Sequence, residues 1–454
     1  LDEAVTVTAY FSEDLPPQID KVRRDFQDLL TEYENRSGGN VVYEFINPNE
    51  SEEKEREVMG QGIQPQVIQV RERDQSMQKR VYLGAKLQYG EQEEIIPVIQ
   101  PGAAMEYSLS TSIKKMSATN KPTIGFISGH GETSLAAMQQ VQESLSILYN
   151  TKAVQLSDSA LLTAYEALIL VSPTDSFKQG ELSQLDAFLG TGKGVLIAMN
   201  RVNANLQTGQ ATAISTGLES WLASKGISVN EDLIIDAKCG AVTVQQQQGF
   251  FMFNQQVPFP YLPILQNFAD HPVTKGLEQV ILPFASSISY TETTPGLTYT
   301  PVAFSSQQSG TEQPPMQLDA QKKLPDYDFY TSKLTAGATL EGNFSGNVPA
   351  RLVLFSDSDF ATNGEGQQAQ RLQPDNINMF VNGVDWLADD TGLNDLRTKG
   401  ISSRPIRDDI SEGQKLFIKW GNFLAPILLI LLYGFFRSQS RKRKKKQWAS
   451  QRWN

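Results

Sequence analysis

ALILVSP, residues 167–173, is a run of five apolar residues closed by a Ser-Pro turn signal. A run this short, aliphatic and bounded by breakers reads as a strand buried on both faces, the kind found in the middle of a parallel sheet. Downstream, residues 179–189 carry apolar positions at helical spacing, the glycines of 190–194 end that helix, and residues 195–199 read as the next apolar strand. Upstream, residues 123–128 and 153–156 read as strands with a helix over 135–148 between them. A helix over 213–225, closed by Gly226, and a strand near 233–235 continue the alternation. Strands and helices in turn are the pattern of a doubly wound α/β sheet.

Beyond Cys239 the pattern changes. Residues 239–350 are rich in Gln, Pro, Ser and Thr, with short strand candidates at 249–253 and 280–288 and loops expected at 245–248 and 305–315. A structureless stretch of that length is unusual in a compact domain, so a β-rich insertion at the edge of the sheet is expected. Residues 351–355 return as a core strand and 377–387 as an amphipathic helix, so the second domain is expected over 119–390.

Residues 1–118 read as a smaller α/β unit. Strands are expected at 5–11, 41–46 and 66–71, helices at 19–33, 50–59 and 103–116, and a hairpin from 81–89 and 94–99. That order is thioredoxin-like, with Pro65 where such a fold carries its proline before the third strand. Thioredoxin chemistry is excluded, because the single cysteine, Cys239, lies outside this unit. One cysteine also excludes an internal disulfide and any multi-cysteine metal site.

Residues 416–436 form a nearly uncharged stretch of 21 residues in which Lys419 is the only formal charge. As a helix it would span about 31 Å, the hydrocarbon thickness of a bilayer. Trp420 suits the interfacial belt, Lys419 can snorkel, Pro426 is tolerable in such a helix, and Phe436 ends the apolar run. Arg437 and then Arg441, Lys442, Arg443, Lys444, Lys445 and Lys446 follow, the signature of a cytoplasmic flank. Residues 391–415 are expected to be a stalk and 437–454 a cytoplasmic tail. Of 40 basic residues eight lie in 437–454, so the rest of the chain carries 32 against 51 acidic ones, net −19. That charge argues against nucleic acid as a partner. Residues 4–11 already read as a strand, so an export signal is expected upstream of residue 1 or in the C-terminal helix itself.

Several motifs in order resemble one family: VTVTAYFSEDLPP at 5–17, Gly129-His130-Gly131-Glu132 after a strand, ALILVSP, His271-Pro272-Val273-Thr274, and Asp357-Ser358-Asp359-Phe360. Together they are similar to the auxiliary extracytoplasmic component of gliding-motility-type ABC transporters. The resemblance implies a second domain of flavodoxin-like or class I amidotransferase-like fold, and a further membrane helix before residue 1. It also implies an ABC permease subunit and, through it, a cytoplasmic ATPase subunit as partners, together with membrane lipids.

An amidotransferase would need a cysteine at a sharp turn after a central strand, with a histidine to activate it. Here Ser172-Pro173-Thr174 follows the strand, Pro173 disfavours a helical turn, and Cys239 has no such setting, so no catalytic residue is assigned. His130 sits at a strand end, where open sheets bind ligands, with Glu132 beside it. It reads either as a ligand or partner contact or as a residue filling a niche in a glycine turn. Ser172, Asp357 and Asp359 are the other candidate contacts. Asp357 and Asp359 would need a third carboxylate, such as Glu132, to hold a cation, and no metal or cofactor is expected. GTGKG at 190–194 precedes a strand rather than a helix and lacks the Ser or Thr of a phosphate loop. His271 before Pro272 reads as the start of a turn.

The expected function is a non-catalytic, membrane-anchored subunit of a transporter in the bacterial inner membrane, with its soluble domains in the periplasm. It would couple permease and ATPase subunits to an envelope partner or substrate. The alternatives are a module binding a small molecule, sugar or peptide, and a relic of a hydrolase or amidotransferase.

Overall fold

The computed structural model describes residues 3–388, apart from 14, 73–74, 101–102, 118–120, 158–161, 207, 249–250, 293–294, 321–323, 326–327 and 367–368, and residues 412–450. The chain divides into two units, residues 1–402 and 403–454. The expected stalk lies, up to residue 411, outside the described residues.

All five residues of Ala167–Val171 are buried. The strand lies between Thr123–Ile127 and Gly194–Ala198, parallel to both. Asn150–Val154 and Ala350–Phe355 extend the parallel region on either side. Taken in chain order, the five parallel strands lie in the order 2-1-3-4-5, with the topological switch between the first and third. Alternate side chains feed opposite cores. Ile169 and Val171 pack with Val141 and Leu145 and with Met379, Phe380 and Val384. Leu168 and Leu170 pack with Leu185, Phe188 and Leu189 and with Leu218 and Leu222. Helices thus cover both faces, Gln139–Ser146 and Pro374–Ala388 on one side, Gln179–Gly190 and Leu218–Ser224 on the other. Close approach is built in at Gly194, where a Cβ would stand 2.6 Å from Leu387.

Beyond Ala350–Phe355 the sheet turns antiparallel through Thr335–Gly342 and grows to 10 strands using Leu297–Phe304, Asn267–Phe268, Ile288–Tyr290 and Ile227–Val229. Part of the 239–350 region is therefore sheet edge. The glutamines at 245–248, expected as a loop, instead belong to the strand Cys239–Gln248, paired in register with Phe251–Leu265. An antiparallel hairpin satisfies its backbone while leaving polar side chains in water, so a Gln run is compatible with it. The helix expected over 213–225 is shorter, Leu218–Ser224, and Gln210–Ala213 is a strand. Gly217 at φ 90 ends the preceding segment, and the Glu219 carboxylate accepts the N–H groups of Thr216 and Gly217 at 3.2 and 3.1 Å, fixing the helix start.

In the N-terminal part, Val41–Ile46, Val5–Phe11, Leu83–Tyr89 and Gln92–Ile96 lie side by side in that order, the first pair parallel and the others antiparallel. Val5, Val7, Ala9 and Phe11 face Phe26 and Leu30 of Pro17–Arg36 and Met105 and Leu109 of Ala103–Ser117. Tyr10 points the other way, towards Val58 of Glu52–Gly60 and Ile63. The segment at 66–71 is not the third strand of this sheet. Among the described residues Gln66–Glu72 pairs with Gln75–Val81 in a separate two-stranded sheet, and the first sheet's third strand is Leu83–Tyr89. The hairpin sequence is mostly polar and Val67 is 62% exposed, while Val81, at its end, is buried.

Among the described residues the C-terminal unit is one helix, Glu412–Ser450, continuous through Pro426 and on through the basic residues. The stretch Lys419–Arg443 is long and apolar enough to cross a membrane. The expected helix at 416–436 is therefore the central part of a longer one.

Phe380 is fully buried against Phe360 at 6.2 Å between ring centres. Phe380→Ala should cost about 3–5 kcal/mol of unfolding free energy. Urea unfolding followed by circular dichroism checks this, and a loss below about 1 kcal/mol would show that this helix is not part of the cooperative core.

Candidate functional site

Parallel strands all end at one side of a sheet, and the loops that leave those ends bring polar groups together. Here a cleft of about 510 Å³ opens beside the ends of Ala167–Val171, Gly194–Ala198 and Ala350–Phe355. Ser172 and Thr174, Asn200, and Asp359 contribute from those ends, while Asn203 and Thr212 come from the hairpin Val202–Asn205 and Gln210–Ala213.

Ser172 directly follows the central strand, and its backbone sits at φ 55, a left-handed conformation that non-glycine residues rarely adopt. Its N–H donates to the Ala198 carbonyl at 2.8 Å, which holds the turn against the neighbouring strand. Asn200 joins two strand ends: its Oδ1 accepts the Ser358 N–H at 2.8 Å and its Nδ2 donates to Asp359 Oδ2 at 3.3 Å. Beneath them Asp357 is fully buried and accepts the N–H groups of Asp359 and Phe360, both at 3.0 Å. Burial, followed by the negative charge of Asp359, pushes the Asp357 carboxyl well above the usual carboxylate range. Asp359 is recessed among the strand ends yet exposed to the cleft. Desolvation raises its carboxyl too, against the opposing Asn200 hydrogen bond.

His130 and Glu132 do not line the cleft. The His130 ring stacks on Phe177 at 4.1 Å, with Nδ1 3.2 Å from Glu132 and Nε2 3.1 Å from Glu181. The carbonyl of His130 accepts the N–H groups of Thr174 and Asp175 at 2.9 Å, tying the first strand's loop to that of the central strand. Gly131, at φ 75, permits this approach, since a Cβ there would fall 2.0 Å from Thr174 Oγ1. Glu181 also accepts the Lys178 N–H at 2.8 Å, the principal reason its carboxyl is lowered. Of the five candidate residues the structure brings Ser172 and Asp359 to the cleft, sets Asp357 beneath it, and places His130 and Glu132 in a bracing network alongside.

The other motifs have local partners. Lys193 of the glycine segment donates to the carbonyls of Thr163 and Tyr165 at 2.9 and 2.6 Å. His271 caps a short turn by accepting the Val273 N–H at 3.2 Å and meets Trp386 edge to face, and burial lowers its pKa. Burial pushes the Cys239 thiol up. Among the described residues no three His, Cys, Asp or Glu side chains are grouped to hold a metal ion. Asn200, Asn203 and Thr212 escaped the sequence reading. Asn200 could have been found as the second residue after a strand end, whereas Asn203 and Thr212 sit on a hairpin that the sequence did not signal.

The fold and cleft define a doubly wound α/β protein with a polar crevice at its strand ends, in a chain that also carries a helix suited to a membrane. The family model described as "ABC-type uncharacterized transport system", an auxiliary component, matches residues 121–389. The chain belongs to this family of ABC-transport auxiliary components. Residues 1–88 match a second family model, described as a domain of unknown function. A protein of Borreliella burgdorferi described as an uncharacterized protein is 21% identical over 295 residues, covering 63% of this chain and 56% of that relative. The chain thus spans little over half the length of the relative. Among solved structures, the mmIFT52 N-terminal domain is similar at 14% identity and a TM-score of 0.40, over 58% of this chain and 97% of that one.

The Asp357 carboxyl, raised above its unfolded value of about 3.9, binds its proton more tightly in the folded state. Its contribution favours folding at low pH and is lost as pH rises from about 4 through the raised folded value. Asp357→Asn should therefore flatten the fall in thermal midpoint as pH rises above about 4, while costing about 1–2 kcal/mol at the lower pH because one backbone N–H loses its acceptor. Thermal unfolding across that range checks both parts, and an unchanged slope would assign the pH dependence to another group.

Proposed function

We propose that the chain is a non-catalytic, membrane-anchored subunit of an ABC transporter of the gliding-motility type, coupling permease and ATPase subunits to a partner or substrate in the cell envelope. What carries this reading is the coincidence in one chain of the transport-auxiliary family over 121–389 and a helix whose large side chains stay exposed from Leu428 to Phe436. A helix that is apolar all round calls for an apolar solvent. The basic flank Arg437 and Arg441–Lys446 supports a cytoplasmic C-terminal end and an extracytoplasmic soluble part on the bacterial inner membrane.

The 2-1-3-4-5 order of the parallel strands supports a flavodoxin-like or class I amidotransferase-like domain over 119–390. The order of the N-terminal sheet, with helices on both faces, supports a thioredoxin-like domain over 1–118 without the dithiol. The non-catalytic part of the reading draws support from His130, whose ring nitrogens meet Glu132 and Glu181 rather than Ser172. In this reading His130, Glu132 and Asp357 position the strand-end loops, and Ser172 and Asp359 face whatever the cleft receives.

The tagged chain purified from its native membranes in mild detergent should bring with it one permease and one ATPase subunit. Recovery of neither would overturn the coupling role. Deleting residues 416–454 should move the chain from the membrane to the soluble fraction, and retention in the membrane would assign anchoring to another segment.

A further inference from the structure

The cleft at the strand ends is lined by polar groups that the protein leaves unused. Among the described residues no side-chain hydrogen bond is made within the protein by Ser172, Thr174, Asn203 or Thr212, all of which line it. Asp359 has one partner, the Asn200 amide at 3.3 Å. Just behind, the Ser358 hydroxyl is buried with no partner. Grouped polar side chains free to bond an incoming molecule, beside a residue held at φ 55 and a buried unpartnered hydroxyl, give a ligand a concave polar surface.

The chemistry of the lining restricts that ligand. Among the described residues of the lining Asp359 is the only acidic or basic side chain, and a carboxylate group accepts hydrogen bonds. Three of the four other free groups are hydroxyls, able to donate or accept. The nearby cation Arg201 is not part of the lining, and its guanidinium meets Glu231 at 3.0 Å and the Ile214 carbonyl. The cleft therefore has nothing to balance a phosphate or carboxylate ligand, and a negative charge beside Asp359 would be repelled. A donor-rich, positively charged molecule fits instead. The net charge of −19 over the chain before residue 437 also raises the local concentration of cations.

We propose that this cleft binds a small organic cation, an ammonium group carrying hydroxyls. Asp359 is its counter-ion, and Ser172, Thr174, Asn203 and Thr212 bond its hydroxyl groups. The inference rests on the cleft and is independent of the coupling role.

The test uses the full chain in detergent micelles, without partner subunits, and isothermal calorimetry with three matched pairs: ethanolamine and ethylene glycol, serinol and glycerol, glucosamine and glucose. At least one amine should bind saturably, and about tenfold or more tighter than its neutral partner, the difference expected for one charge-assisted contact. Asp359→Asn should remove most of that difference, and Thr212→Val, on the opposite wall, should weaken binding about threefold or more with an unchanged thermal midpoint. Saturation by no amine, equal binding of an amine and its neutral match, or binding indifferent to both substitutions would each overturn the proposal. Sodium or potassium chloride competing at equal concentration would also overturn it, by showing a site for bare cations. None of these outcomes bears on whether permease and ATPase subunits co-purify.

Discussion

The central constraint is that one five-residue strand, Ala167–Val171, has no face turned to water. A strand of that kind is stable only if apolar layers cover both sides, so Ile169 and Val171 require one pair of helices and Leu168 and Leu170 require another. Parallel neighbours on both edges follow, because the crossover helices are what bury the faces. From this follows the placement of chemistry. All five parallel strands end at one side, so polar residues just beyond them meet there and nowhere else in the sheet.

How those strand ends are fixed explains the division of labour among the polar residues. His130, Glu132 and Glu181 use their hydrogen-bonding capacity on one another and on backbone groups, which joins two loops to the start of a helix. Asp357 uses its acceptors on two backbone N–H groups and sits where a charge is costly, which raises its carboxyl above the usual range. Ser172, Thr174 and Asp359 instead line the cleft, where neighbours bond their side chains weakly or not at all.

The same aliphatic chemistry has a different outcome at the C-terminus. In the sheet, apolar side chains are buried by other apolar side chains. In Glu412–Ser450 they are exposed over several turns, and the helical backbone satisfies its own hydrogen bonds, the condition for entering a bilayer. Length and the adjacent basic residues separate the two cases, and both are visible in the sequence.

Much of the fold was legible for that reason. The runs at 123–128, 167–171, 195–199 and 351–355 are short, apolar and bounded by breakers, and each is a parallel strand. Local reading failed where backbone pairing overrode side-chain character, as in the glutamines of Cys239–Gln248, or where a polar hairpin, Gln66–Val81, stood outside the sheet it was expected to join. For the cleft, the sequence alone determined which polar residues follow the strands: His130, Ser172, Asp357 and Asp359. Only the tertiary structure decided that Ser172 and Asp359 share a cleft with Asn203 and Thr212 while His130 turns into a carboxylate network. The physical reason is that strand order and the direction in which each loop leaves its strand depend on contacts between residues far apart in the chain, which local patterns of polarity do not encode.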